Sequence, residues 1–84
     1  MIVIRLLGPI QKILNSKIMY LHKNETSIPE LMSFLREQAM VPNKIDQKNF
    51  VIVINGIESS LISQDDSAIK SGDTVTIASL IHGG

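Results

Sequence analysis

Along this chain apolar positions arrive in short bursts with a period of two and, once near the middle, with a period close to that of a helix. The first burst, Met1 to Leu7, is apolar except for Arg5. Its β-branched Ile2, Val3 and Ile4, and its shortness before Gly8-Pro9, predict a strand. Side chains alternate faces along a strand, so Arg5 on the solvent side carries Val3 and Leu7 with it and sends Ile2, Ile4 and Leu6 inward. Gly8 to Ser16 reads as a turn region punctuated by Pro9 and Asn15-Ser16, with Ile10, Ile13 and Leu14 covering part of the core. A second strand from Lys17 to about Lys23 is expected to pair with the first as an antiparallel hairpin.

The helical stretch opens at Ser27-Ile28-Pro29-Glu30. The Ser27 hydroxyl can accept from the Glu30 amide while the Glu30 carboxylate returns to the Ser27 amide, and Pro29 occupies the first turn, where its missing donor is harmless. From there to about Met40, Ile28, Leu31, Met32, Leu35 and Ala39 fall on one stripe, so one helix is laid on a sheet. Met32 and Met40 read as core filling. Val41-Pro42-Asn43 ends the helix, because Pro42 disfavours helical geometry at Val41.

Phe50-Val51-Ile52-Val53-Ile54 is the most strand-like segment. An unbroken apolar strand does not declare its register. The expectation is that Ile52 and Ile54 face the core and that Val51 and Val53 form an exposed apolar surface continued by Leu80 and Ile81; the reverse assignment buries Val51 and Val53. Asn55-Gly56 tolerates the positive φ of a two-residue hairpin turn and returns the chain through Ile57-Glu58. Leu61-Ile62 and Ser67-Ala68-Ile69 are apolar anchors in a polar connection, and Ser71-Gly72-Asp73 makes a further turn. Thr74-Val75-Thr76-Ile77 alternates, placing Val75 and Ile77 inward on a final strand. The order strand, strand, helix, strand, short strand, strand is an α+β pattern with one shared core.

Composition narrows the function classes. Eighty-four residues make one domain rather than two. With 44% apolar and 19% charged residues and a formal charge of zero, disorder is not expected. The absence of cysteine removes disulfides, thiolate metal sites and a cysteine nucleophile together. No apolar run is long enough to span a bilayer and the start lacks the features of a signal peptide, so the expectation is a cytoplasmic monomer without a membrane partner. Lys12, Lys17, Lys23, Lys44, Lys48 and Lys70 are scattered and aromatics are few, which argues against direct nucleic-acid binding.

Candidate chemistry concentrates in Leu80-Ile81-His82-Gly83-Gly84. Glycine averages about 7% of residues, so a chance pair at the end is roughly a one-in-200 event. Without a Cβ, Gly83 and Gly84 can thread a narrow channel and bring a carboxylate to a reaction centre in another protein. His82 is read as a spacer contacted by that protein rather than as an acid or base, and His22 as an ordinary strand residue. Asp65-Asp66 read as solvated loop carboxylates, and Ser59-Ser60 have no evident base partner. No metal-ligand set is expected.

The opening Ile2-Val3-Ile4-Arg5, the capped helix from Ser27, Val53-Ile54-Asn55-Gly56, Ser71-Gly72-Asp73 followed by Thr74-Val75, and Gly83-Gly84 stand in an order and spacing that span the chain. In these features it resembles the sulfur-carrier and ancestral-modifier branch of the ubiquitin-like β-grasp proteins: the small subunit of molybdopterin synthase, the thiamine sulfur carrier, the ubiquitin-related modifier and the small archaeal modifiers. The resemblance implies a mixed sheet of four to five strands packed on one main helix, with residues 80–84 as a flexible tail. Molybdopterin-synthase small subunits usually approach the diglycine through a Pro-Pro-Val segment, whereas Ala78-Ser79-Leu80-Ile81-His82 stands here. The ending is more similar to the Leu-His-Gly-Gly of the ubiquitin-related modifier.

The resemblance further implies that the chain is a carrier and substrate rather than an enzyme. A partner enzyme using ATP and magnesium would adenylate the Gly84 carboxylate, and a sulfur donor would convert it to a thiocarboxylate, or lysines of target proteins would take it as an isopeptide. Sulfur would then pass to transfer RNA, molybdopterin or a thiamine precursor. No cofactor is expected on this chain. Gly83 and Gly84 would be the reactive end, and Leu80, Ile81, His82, Val51 and Val53 the partner-binding residues. The competing expectation is a β-grasp interaction module with an inert tail.

Overall fold

The computed structural model describes residues 1–62 and 68–80. The first burst forms strand β1 (Ile2–Leu7), with Ile2, Ile4 and Leu6 buried and Arg5 and Leu7 exposed, as the alternation requires. The region expected to be only a turn contains a short helix, α1 (Ile10–Leu14), whose Ile10 and Leu14 are buried. It closes at Asn15, which takes the left-handed conformation at φ 50°. The partner strand β2 (Ile18–Leu21) is shorter than expected, because the chain turns at Asn24 into a two-residue strand, β3 (Glu25–Thr26). The Asn24 carbonyl there accepts the Ser71 amide at 2.8 Å.

The main helix, α2 (Ile28–Gln38), buries Leu31, Met32 and Leu35. The Glu30 amide donates to the Ser27 hydroxyl at 3.2 Å; among the described residues the reciprocal bond to the Glu30 carboxylate is not formed. Ala39 leaves the helix in an extended conformation (φ −84°, ψ 142°) ahead of Pro42. Met40 is thereby swung away from the core and is 93% exposed, which corrects its assignment there. The core takes Ile45 instead, from the segment after a short 3-10 turn at Pro42–Lys44. The Arg36 Nε ties that segment to the helix by donating to the Ile45 carbonyl at 3.0 Å.

Strand β4 (Phe50–Ile54) turns at Asn55 (φ 50°) and Gly56 (φ 85°) into β5 (Ile57–Glu58). Two successive positive φ values are what a type I′ hairpin turn requires, and glycine at the second meets no steric cost. Of the expected anchors in the following connection, Ile62 and Ile69 pack on the core while Leu61, in a 3-10 turn, is 78% exposed. Strand β6 (Ile69–Lys70) pairs with β3, and β7 (Thr74–Ser79) completes the main sheet.

That sheet has the order β2-β1-β7-β4-β5. β1 and β7 run parallel; the other pairs are antiparallel. A parallel neighbour needs a crossover, and α2 lies in the chain between the two, covering the inner face where Ile2, Ile4, Leu6, Ile52, Val75 and Ile77 are buried. Among the described residues no buried side-chain polar atom lacks a hydrogen bond.

Candidate functional site at the end of the last strand

Because β7 lies between β1 and β4, the final strand is held on both sides up to its last residues. Leu7 pairs with Ala78 on one flank and Phe50 with Ser79 on the other. One residue further, the Leu80 amide donates to the Asn49 carbonyl at 2.9 Å. Opposite, the Ile10 amide at the start of α1 donates to the Ser79 hydroxyl at 3.0 Å. Gly8 permits this approach: it sits at φ +85°, and a Cβ on it would stand 3.4 Å from the Ser79 Cβ. The strand therefore leaves the sheet through a collar formed by Gly8, Ile10 and Asn49.

Leu80, 42% exposed, is the last described residue. Ile81, His82, Gly83 and Gly84, named from the sequence as contact and reactive residues, lie outside the described residues. Val51 and Val53 do lie opposite the core, since Phe50, Ile52 and Ile54 are buried and the two valines are half-buried between them. The register expected for β4 is thus the observed one, with the valines half-buried rather than fully exposed.

The outer face is wider than the sequence indicated. Cross-strand pairs place Val51 beside Ala78 and Leu7, and Val53 beside Thr76 and Arg5, with Arg5 opposite Ile18 and Val3 opposite Tyr20. Leu7, Ile18 and Tyr20 are all exposed. The outer face thus carries an exposed apolar patch around Leu7, Ile18 and Tyr20. Arg5 alone had already turned Val3 and Leu7 outward. What the sequence lacked was the parallel pairing of β1 with β7, which joins those residues to Val51 and Val53.

At the opposite end of β7, Asp73 organises two turns. One of its oxygens accepts the Lys70 amide at 2.8 Å and the other the Asn55 side-chain amide at 2.9 Å. Asn55 returns its own oxygen to the Thr74 amide at 2.9 Å. The Lys70 backbone bond first, and then the Asn55 bond, lower the Asp73 pKa below the usual aspartate value; burial opposes them, and the Lys70 charge lowers it further. This cluster is structural and is separated from the tail by the length of β7.

Among the described residues, the others singled out in the sequence do not assemble a catalytic centre. His22 is exposed just beyond β2 rather than within a strand. Ser60 does have a partner, the Glu58 carboxylate, to which its hydroxyl donates in an exposed turn. A solvated carboxylate is far too weak a base to ionise a serine. Asp65 and Asp66 lie outside the described residues. Among the described residues no three His, Asp or Glu side chains converge as metal ligands, and no helix is long and apolar enough to cross a membrane.

No protein-family model matches the chain, and no curated protein matches it in sequence. Its fold does match solved structures. The crystal structure of Urm1 from Sulfolobus solfataricus superposes with a TM-score of 0.67 at 15% identity, over 93% of this chain and 99% of that one. The solution structure of the Haloferax volcanii HVO 2177 protein gives a TM-score of 0.73 at 14% identity, over 99% and 85%. A chain from the complex of subunits 1 and 2 of the molybdopterin-converting factor from Helicobacter pylori gives 0.63 at 22% identity, over 99% and 97%. At such identities the likeness is one of fold, and at that level it meets the expectation drawn from the sequence: the chain has the ubiquitin-like β-grasp fold, a mixed five-stranded sheet on one main helix.

Proposed function

We propose that this chain is a ubiquitin-like sulfur carrier and protein modifier whose Gly84 carboxylate is the reactive group. The observation that carries the reading is the placement of Leu80-Ile81-His82-Gly83-Gly84 directly after an internal strand whose exit is fixed on both sides. The shared fold of Urm1 and of a chain in the molybdopterin-converting factor complex supports it. A carboxylate is a poor electrophile. An adenylating partner would let it attack the α-phosphorus of ATP, releasing pyrophosphate and leaving a mixed anhydride with AMP. Attack by hydrosulfide from a sulfur donor then expels AMP and leaves a thiocarboxylate; attack by a lysine amine leaves an isopeptide.

In this reading the chain supplies no catalytic residue; ATP and magnesium belong to the partner. Its own contribution is presentation. The collar sets where the tail starts, and Gly83 and Gly84 allow entry to a channel too narrow for side chains. Four extended residues beyond Leu80 span at most about 14 Å, so the partner must approach the sheet end closely. Val51, Val53 and Leu80 would form part of its contact.

The test is intact-mass spectrometry of the chain ending at Gly84, incubated with a ubiquitin-activating-type adenylating enzyme from its own source, ATP, magnesium and sulfide. Exchange of one oxygen for one sulfur, mapped to Gly84 and absent when Gly84 is deleted, is the expected result. An unchanged mass with an enzyme shown to be active on another carrier would favour an interaction module with an inert tail.

A further inference from the structure

The swing of the chain after Ala39 creates a second surface. Val41, Met40 and Lys44 from the segment following α2, with Lys12 and Ile13 from α1, line a groove of about 300 Å³. Its floor is apolar: Met40 is almost wholly exposed, Val41 is exposed, and Ile13 is half-buried against the core. Its rim is cationic on both sides. Among the described residues neither Lys12 nor Lys44 has a carboxylate within salt-bridge distance, whereas nearby Lys48 is paired with Asp46 at 3.5 Å.

The wall is held in place rather than loose. The Lys44 amide donates to the Val41 carbonyl at 3.1 Å, the Ile45 amide to Pro42 at 3.0 Å, and Arg36 grips Ile45 from α2. The same two segments also hold the strand exit, α1 through the Ile10 amide on Ser79 and the post-helix segment through the Asn49 carbonyl on Leu80. The groove and the strand exit thus share α1 and the stretch of chain that follows α2.

We infer that the groove is a docking site for an acidic segment of the partner that works on the tail, with one apolar side chain seated on Ile13, Met40 and Val41 and carboxylates on either side paired with Lys12 and Lys44. Charge selects the occupant: two ammonium groups, without a carboxylate partner among the described residues, flank an apolar floor, attract carboxylates and repel a basic segment. Methionine suits such a floor because its unbranched, polarizable side chain adapts to the group it meets. Assignment of the segment to the tail's partner rests on the carrier reading; the chemistry of the groove does not.

The experiment is a titration of the isotopically labelled full chain, followed by amide chemical shifts. The probe is a blocked peptide with one leucine between glutamates, and the control carries lysines in place of the glutamates. The glutamate peptide is expected to shift the amides of Ile13, Val41 and Lys44, more weakly at high salt, and equally well in a chain lacking Gly84. Met40→Ser should weaken binding and the pair Lys12→Glu and Lys44→Glu should reverse the peptide preference; these residues are exposed, so an otherwise unchanged spectrum checks the fold. Equal shifts with both peptides, or shifts centred on Val51 and Val53, would overturn the site. In the adenylation assay the double reversal should raise KM roughly three- to tenfold with kcat unaltered. Peptide binding with an unaltered KM would remove the tail's partner as occupant, and peptide binding without any adenylation would leave the groove standing while the carrier reading fell.

Discussion

The two faces of β4 and β7 are built from similar residues and do different work. On the inner face Ile52, Ile54, Val75 and Ile77 are buried beneath α2; on the outer face Val51, Val53, Thr76 and Ala78 are half-buried, with no layer above them among the described residues. Each valine is only one methylene smaller than the isoleucines beside it, about 0.8 kcal/mol of burial, so hydrophobicity alone gives only a modest bias as to which set makes the core. The decision is made by neighbours. β7 has alternating threonines, and its pairing of Val53 with Thr76 and of Ile52 with Ile77 passes that alternation to β4. Stability thus belongs to one face, and among the described residues the other is left uncovered.

The largest effect expected from this contrast is on the inner face. Ile77 is fully buried, paired with Leu6 and Ile52 on its two sides. Ile77→Ala removes buried methylenes and leaves a cavity, a loss of about 2–5 kcal/mol. In a domain of this size that is a large part of the total stability. Denaturant unfolding should show a lower midpoint with an unchanged slope; a loss under about 1 kcal/mol would mean that the sheet and helix repack freely and that the two faces are less distinct than described.

On the outer face Val53→Lys should cost about 1 kcal/mol or less, because the new ammonium reaches water and lies between Thr76 on one side and Glu58 on the other. If the chain is the carrier proposed above, the effect belongs to association: KM for the chain with an adenylating partner should rise while the melting temperature moves little. A melting temperature that falls as far as for Ile77→Ala would erase the distinction between the faces.

How much of this was legible in the sequence depended on how local the cause was. Arg5 fixed the facing of β1, Ser27 with Pro29 fixed the start of α2, and Asn55-Gly56 fixed a turn, each through chemistry contained within a few residues. Met40 and Leu61 were misplaced because apolar character says nothing of where the backbone will break away from the core. Ile45, the short pairing of β3 with β6, and α1 went unseen because two-residue strands and single turns are set by tertiary contacts, here the Asn24 carbonyl on Ser71 and Ser79 on Ile10. The apolar outer face was half visible: Val51 and Val53 could be named, whereas Leu7, Ile18 and Tyr20 joined them only through the parallel placement of β1 beside β7. The groove at Met40 had no sequence signal, because the residue read as core filling.

The smallest expected effect concerns the polar bonds that lock β4 and β7 in the register on which the two faces depend. Asp73 holds the Lys70 amide and the Asn55 side chain, and Asn55 holds Thr74, the first outer-face residue of β7. Its pKa is lowered in the folded chain, first by the Lys70 backbone bond, then by Asn55 and the Lys70 charge. A group whose folded pKa lies below its unfolded value binds protons more readily when unfolded, so its contribution is fully present above the ordinary aspartate pKa of about 3.9 and is lost as pH falls through the lower folded value. Asp73→Asn should therefore be less stable than the parent at neutral pH, and the gap should narrow as unfolding is measured progressively below about pH 4. Amide exchange at Thr74 and Lys70 supplies the local readout, both protected in the parent and faster in the variant. A gap that stays constant through the acid range would mean that Asp73 holds the turns by shape alone, and that the register separating core from contact surface is carried by the pairing of β4 with β7 without help from its charge.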